Sequence, residues 1–207
     1  MNEAVKNLFA IVLLVFSGSI FGAPEYRIPS SLNDGERGDY IPRSSYEILG
    51  VAIDSSTLEN IKSKLGSAST YKGHHTASHI CYVNGSYMVE FSISSLGFGY
   101  DVTQVDQRPP KCGATTEPIK NGLGIKVGMS KSDVALLIGM PSKTRENGAS
   151  YTYWVQELPS KKTQDALRLA HKIPSSESLW LDVYSNLSVS FKNGSVSQFS
   201  VHTTETY

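Results

Sequence analysis

The sequence predicts an α+β protein made of two tandem small units, each a helix or helical hairpin packed on a three- to four-stranded antiparallel sheet. Two stretches of the 207-residue chain share one local grammar: an opening glycine, an apolar stretch, a Ser/Thr cap, a short amphipathic helix and a closing glycine. Each is followed by segments of alternating hydrophobicity separated by Asn-Gly pairs, the pattern of an antiparallel meander. A helix with one apolar stripe and a sheet with one apolar face each shield the other from water, so together they form a packing unit.

At the N-terminus, Leu8 to Phe16 is an unbroken apolar run preceded by Lys6 and followed by Ser17, Gly18 and Ser19. That is the layout of a secretory signal peptide, expected to span residues 1–19 with its end between 19 and 23. The run is about half the roughly 20 residues that a membrane-spanning helix needs, and no later segment approaches that length. The remainder is therefore expected in the periplasm or outside the cell, with no integral membrane segment. Residues 20–45, rich in Pro, Ser, Gly, Asn and Asp, have the composition of a flexible arm.

The first unit is expected over residues 46–117. Leu58, Ile61 and Leu65 recur on one helical face, Ser56 with Glu59 forms a capping box, and Gly66 supplies the stop. His79 to Val83 and Ser86 to Ser92 flank the Asn84-Gly85 turn signal, and Asp101 to Val105 adds a strand. The second unit is expected over residues 118–207. Val134, Leu137 and Ile138 form the helical face, Ser130 with Asp133 the capping box, and Gly139 the stop before Pro141. Strands follow at Ala149 to Gln156, Trp180 to Tyr184, Leu187 to Lys192 and Ser195 to Thr203. An insertion at 157–178 carries Ala166, Leu167, Leu169, Ala170 and Ile173 among polar residues, which predicts a short amphipathic helix before Pro174.

Nineteen basic and nineteen acidic side chains leave no net field to attract nucleic acid or an anionic membrane. Two cysteines in an exported chain predict a Cys81–Cys112 disulfide, and closing a loop of about thirty residues stabilises by roughly 3 kcal/mol. Zinc held by these thiolates and His79 is the alternative, but their separation matches no structural-zinc spacing. His74, His75 and His79 are the one local group that could ligate a metal, and neighbouring histidines do not easily face one ion together. No metal and no cofactor is assigned. The chain has no G-x-S-x-G elbow, no H-E-x-x-H helix and no phosphate loop, so no catalytic residue is assigned and no enzymatic role is expected.

Aromatic residues are the better functional lead. Tyr151 and Tyr153 share one strand face while Trp154 takes the other, and Trp180 and Tyr184 lie on a further strand. Tyr153 and Trp180 are expected in the core, and Tyr151 and Tyr184 as candidate partner contacts. Leu167 and Arg168 of the insertion are candidate contacts too.

Residues 127–141, Val-Gly-Met-Ser-Lys-Ser-Asp-Val-Ala-Leu-Leu-Ile-Gly-Met-Pro, precede Tyr-Thr-Tyr-Trp-Val and a final strand pair around Asn193-Gly194. This succession resembles the BamE-like (SmpA/OmlA) superfamily, which also includes the beta-lactamase inhibitory proteins as tandem duplications. The likeness covers residues 124–156 and 187–203, and more loosely 50–105. It implies a helix pair on a three- or four-stranded sheet, in proteins that bind other proteins without catalysis. The function expected is that of an exported, monomeric protein-binding or accessory protein of the cell envelope, or alternatively an inhibitor or immunity protein that blocks an envelope or secreted enzyme.

Overall fold

The computed structural model describes residues 25–52, 57–73, 77–94 and 97–206. The expected leader, the cap Ser56 and the pair His74 and His75 lie outside them.

Two short strands, β1 (Tyr26–Arg27) and β2 (Glu36–Arg37), and a 3-10 turn at Arg43–Tyr46 precede helix α1 (Leu58–Leu65). A short β3 (Tyr71–Lys72) leads into a meander of β4 (Ser78–Asn84), β5 (Tyr87–Ser94) and β6 (Gly97–Gln104), followed by β7 (Gly113–Ala114). The second half contains α2 (Lys131–Ile138), β8 (Lys143–Arg145), β9 (Gly148–Glu157), α3 (Lys161–His171), β10 (Leu181–Lys192) and β11 (Ser195–Thr206).

Local chemistry explains the helix ends. Thr57 caps α1 by accepting from the Asn60 amide at 3.2 Å, one residue later than the expected cap. Ser130 caps α2 by accepting from the Asp133 amide at 3.1 Å, and its hydroxyl donates to the Asp133 carboxylate at 2.7 Å. Gly66 and Gly139 end the two helices at φ of 90° and 76°, a region that favours glycine. Asn193 and Gly194, at φ of 53° and 76°, form the tight turn between β10 and β11.

The expectation of two tandem helix-on-sheet units is overturned. All eleven strands belong to one mixed sheet, in the order β1-β9-β10-β11-β6-β5-β4-β3 along its main path. The two meanders are fused where β11 pairs antiparallel with β6, from Gln198 opposite Thr103 to Thr203 opposite Phe98. Ile61 of α1 and Val134 of α2 sit in one continuous core with residues from both meanders. The physical reason is edge closure: each meander alone would leave its last strand unpaired, and joining those strands covers both edges at once. It also gives a single larger core, which a small unit lacks.

Further differences follow from the same sheet. The expected strands Trp180 to Tyr184 and Leu187 to Lys192 merge, from Leu181 onward, into the single β10, because Leu181, Val183, Ser185, Leu187, Val189 and Phe191 keep one inward alternation. The segment expected as a flexible arm is built onto the edge of β9. There β8 pairs with Gly148 to Ser150, β2 runs parallel at Thr152 and Tyr153, and β1 pairs at Gln156 and Glu157. At the opposite edge β3 and β7 both pair with β4. Short strands thus cover both long edges. Arg43 fastens the 3-10 turn to the sheet, bonding the buried Glu157 at 2.9 Å and also Glu205. The two carboxylates hold its guanidinium above its ordinary pKa despite burial, which acts to lower it.

Candidate functional site: the uncovered face of the sheet

Alternation along the strands sorts their residues onto two faces. Inward are Ile80 and Tyr82, Val89 and Phe91, Phe98, Tyr100 and Val102, then Tyr151 and Tyr153, Leu187 and Val189, Phe199 and Val201. Helices α1 and α2 pack on this side, and α3 joins it at one end, where Leu167 meets Val155, Leu181 and Val183. The described helices therefore all lie on one face. The other face is covered at its β4 end by the segment carrying Cys112, whose disulfide to Cys81 packs with Val83, Met88 and Val105. Over β9, β10, β11 and β6 it carries none of the described helices.

Three rows of side chains cross this uncovered face. In the first, Ser150, Ser188, Ser200, Asp101 and Glu90 lie on successive strands in register. In the second, Thr152, Asn186, His202, Gly99, Ser92 and His79 do the same. The third begins with Trp154, Tyr184 and Thr204. Polar groups in the first two rows bond one another: Asn186 donates to Ser150 at 3.1 Å and Thr152 at 2.9 Å, and accepts from Ser188 at 2.8 Å.

The third row supplies aromatic area. The Trp154 and Tyr184 rings stack with centroids 5.0 Å apart and planes 17° from parallel. Asp182 accepts from the Trp154 indole at 3.0 Å and from Gln156 at 2.9 Å, and Gln156 in turn accepts from Arg27 at 2.7 Å. Arg27 also lies 4.3 Å over the Trp180 ring. These bonds fix the rings in one arrangement, which lowers the entropy lost when a partner covers them.

A charged group crosses the middle of the face. Glu90 and Asp101 are direct cross-strand neighbours, His79 lies 2.8 Å from Glu90, and His202 stands 3.9 Å from Asp101. Gly99 leaves room for the His202 ring, since a Cβ there would fall 2.1 Å from its Nδ1. Tyr71 stacks on His79 with centroids 5.4 Å apart. The Asp101 side chain keeps 55% of its exposure, yet partial burial raises its pKa above the ordinary value. His202 opposes that rise, Glu90 adds to it, and His79 opposes it.

The four residues expected as contacts have different places. Tyr184 lies on the uncovered face. Tyr151 is 2% exposed in the core, because it shares its strand parity with Ala149, Tyr153 and Val155. Leu167 packs against the small cluster at the end of the sheet, and Arg168 donates to the carbonyls of Pro174 and Glu177, closing the insertion on itself. Trp180, expected in the core, is only partly buried and lies beneath Arg27. Trp154, Asp182, Glu90, Asp101 and His202 were not singled out as site residues, although the polar alternation Asp182, Tyr184, Asn186, Ser188, Ser190 is visible in the sequence.

Among the described residues no three His, Cys, Asp or Glu side chains are placed to hold a metal. A partly open cavity beside Arg43, Tyr46 and Ser185 measures about 20 Å³, room for a single water. What the uncovered face offers is rigid aromatic area beside hydroxyl, amide and ionisable groups, a surface for recognition. No protein-family model, curated protein or solved structure matches the chain.

Proposed function

We propose that the chain is an exported, non-catalytic protein that binds another protein through the uncovered face of its sheet. The observation that carries this is the stacked Trp154–Tyr184 pair, locked by Asp182 at the border of a field of Ser, Thr and Asn side chains. Recognition surfaces combine stiff aromatic anchors, which lose little freedom on binding, with small adaptable hydrogen-bonding groups. The likeness of residues 127–141 to the BamE-type superfamily supports the same role. Export is supported by the leader-like N-terminus and by the disulfide.

The test places a photoreactive residue at Thr204 on the uncovered face, and at Ser63 on α1 as control, in cells that export the protein. A discrete adduct is expected from position 204 and none from 63, and Trp154→Ala with Tyr184→Ala should reduce its yield at least tenfold. Adducts from both positions alike, or an adduct indifferent to the double substitution, would place the contact elsewhere. Whether the captured protein loses its own activity on binding separates an inhibitor from an accessory protein.

A further inference from the structure

Rings and cations are paired repeatedly in this fold. Arg27 lies 4.3 Å over Trp180, Arg37 5.3 Å over Tyr153 and Lys111 3.2 Å over Tyr71. Trp154 and Tyr184 stack on each other and, among the described residues, neither ring has a cation over it. The face of an aromatic ring carries partial negative charge, so a pair left without a cation still attracts one.

The charges that act on this pair are negative. Asp182 precedes Tyr184 by two residues on β10 and shares its face of the sheet. Its Oδ1 accepts from Trp154 and Gln156, whereas among the described residues its Oδ2 accepts nothing and the carboxylate enters no ion pair. Glu36 joins the same face from β2, in register with Thr152, and its bonds go to the neutral Asn33. Together with burial, Asp182 and Glu36 raise the pKa of the Tyr184 hydroxyl, and no cation opposes them. The cations on this face are engaged or remote. Arg27 is bonded to Gln156 and held over Trp180. Lys143 stands opposite Ser150, four residues from Trp154 along β9. That is about 13 Å at strand spacing, beyond the roughly 10 Å over which ordinary salt screens a charge.

Resting on the reading that this face binds a protein, we infer that the partner anchors there through an arginine side chain, whose guanidinium stacks on the Trp154–Tyr184 pair and donates to Asp182. Arginine suits the site because its guanidinium is planar and weakly hydrated. It lies flat on a ring while its N–H groups, all in the same plane, reach a carboxylate at the ring edge. A lysine ammonium is a compact, strongly hydrated point charge that does not meet both at once. The Ser, Thr and Asn side chains beside the pair then contact the partner around that anchor.

The experiment uses the exported protein, with removal of the leader confirmed by mass, and follows the Trp154 indole N–H by NMR. The probes are a blocked Gly-Arg-Gly peptide and the same peptide with citrulline, which keeps the shape and removes the charge. The arginine peptide is expected to shift the indole signal saturably, with its own side-chain protons moved upfield by the rings, and the citrulline peptide to bind at least tenfold more weakly. Asp182→Asn and Tyr184→Leu should each weaken the arginine peptide at least tenfold at an unchanged melting temperature, and Lys143→Ser should leave it unchanged. No saturable shift, equal binding of the two peptides, or indifference to Asp182→Asn would each overturn the anchor. The two claims fail separately. A crosslinked adduct from position 204 that persists while the arginine peptide does not bind would remove the anchor and keep the protein-binding face. Peptide binding with no adduct would keep the guanidinium site and remove the protein partner.

Discussion

Asp101, on the uncovered face, carries a charge that bears on stability. It stands directly across from Glu90, and like charges in that position oppose folding. Its folded pKa lies above the ordinary 3.8, so the folded chain holds the proton more tightly than the unfolded one. As pH rises from 3.8 through the folded value, that advantage is lost, and the penalty is complete at neutral pH. Asp101→Asn should therefore raise stability at pH 7 by a few tenths of a kcal/mol, after allowance for solvent screening, and the gain should vanish below about pH 3.8. Urea denaturation at the two pH values checks this. A less stable variant at pH 7 would show instead that the contact with His202 outweighs the repulsion.

At the scale of elements, the Cys81–Cys112 disulfide ties β4 to the segment that enters β7, and Val83, Met88 and Val105 pack around it. Replacing both cysteines by serine should lower stability by roughly 3 kcal/mol and expose residues 105–112 to proteolysis. An unchanged urea midpoint would mean that packing alone holds the segment. The strands of both meanders, the capped helices and the disulfide were legible in the sequence, because alternation, caps and cysteine parity are local signals. The two-residue strands β1, β2, β3 and β7 were not, since two residues are too few to show a period. The faces were only half legible. Parity placed Tyr151 and Tyr153 together and Trp154 opposite, but which side the helices cover depends on tertiary packing, so Tyr151 was assigned outward and is buried. The Arg168 carbonyl bonds show the same limit, because a surface arginine and one that closes its own loop have the same local sequence.

At the scale of the molecule, two similar halves are joined by one antiparallel seam into one sheet with one core. The repeat in the sequence suggested separate units, because periodicity specifies how a half folds and says nothing about what its last strand pairs with. The seam also creates the site: only when β11 lies beside β6 do His202 and Asp101 come together, and only then is the uncovered face wide enough to carry an aromatic border and a charged centre. The proposed recognition role thus depends on the fusion of the halves.

Amide hydrogen exchange across that seam tests the account most directly. Phe199 and Val201 of β11 and Tyr100 and Val102 of β6 are buried and paired, so their amides should exchange only through global unfolding, at one common and slowest rate. Fast exchange at these four positions, with two separately protected meanders on either side, would contradict the single sheet and the face built upon it.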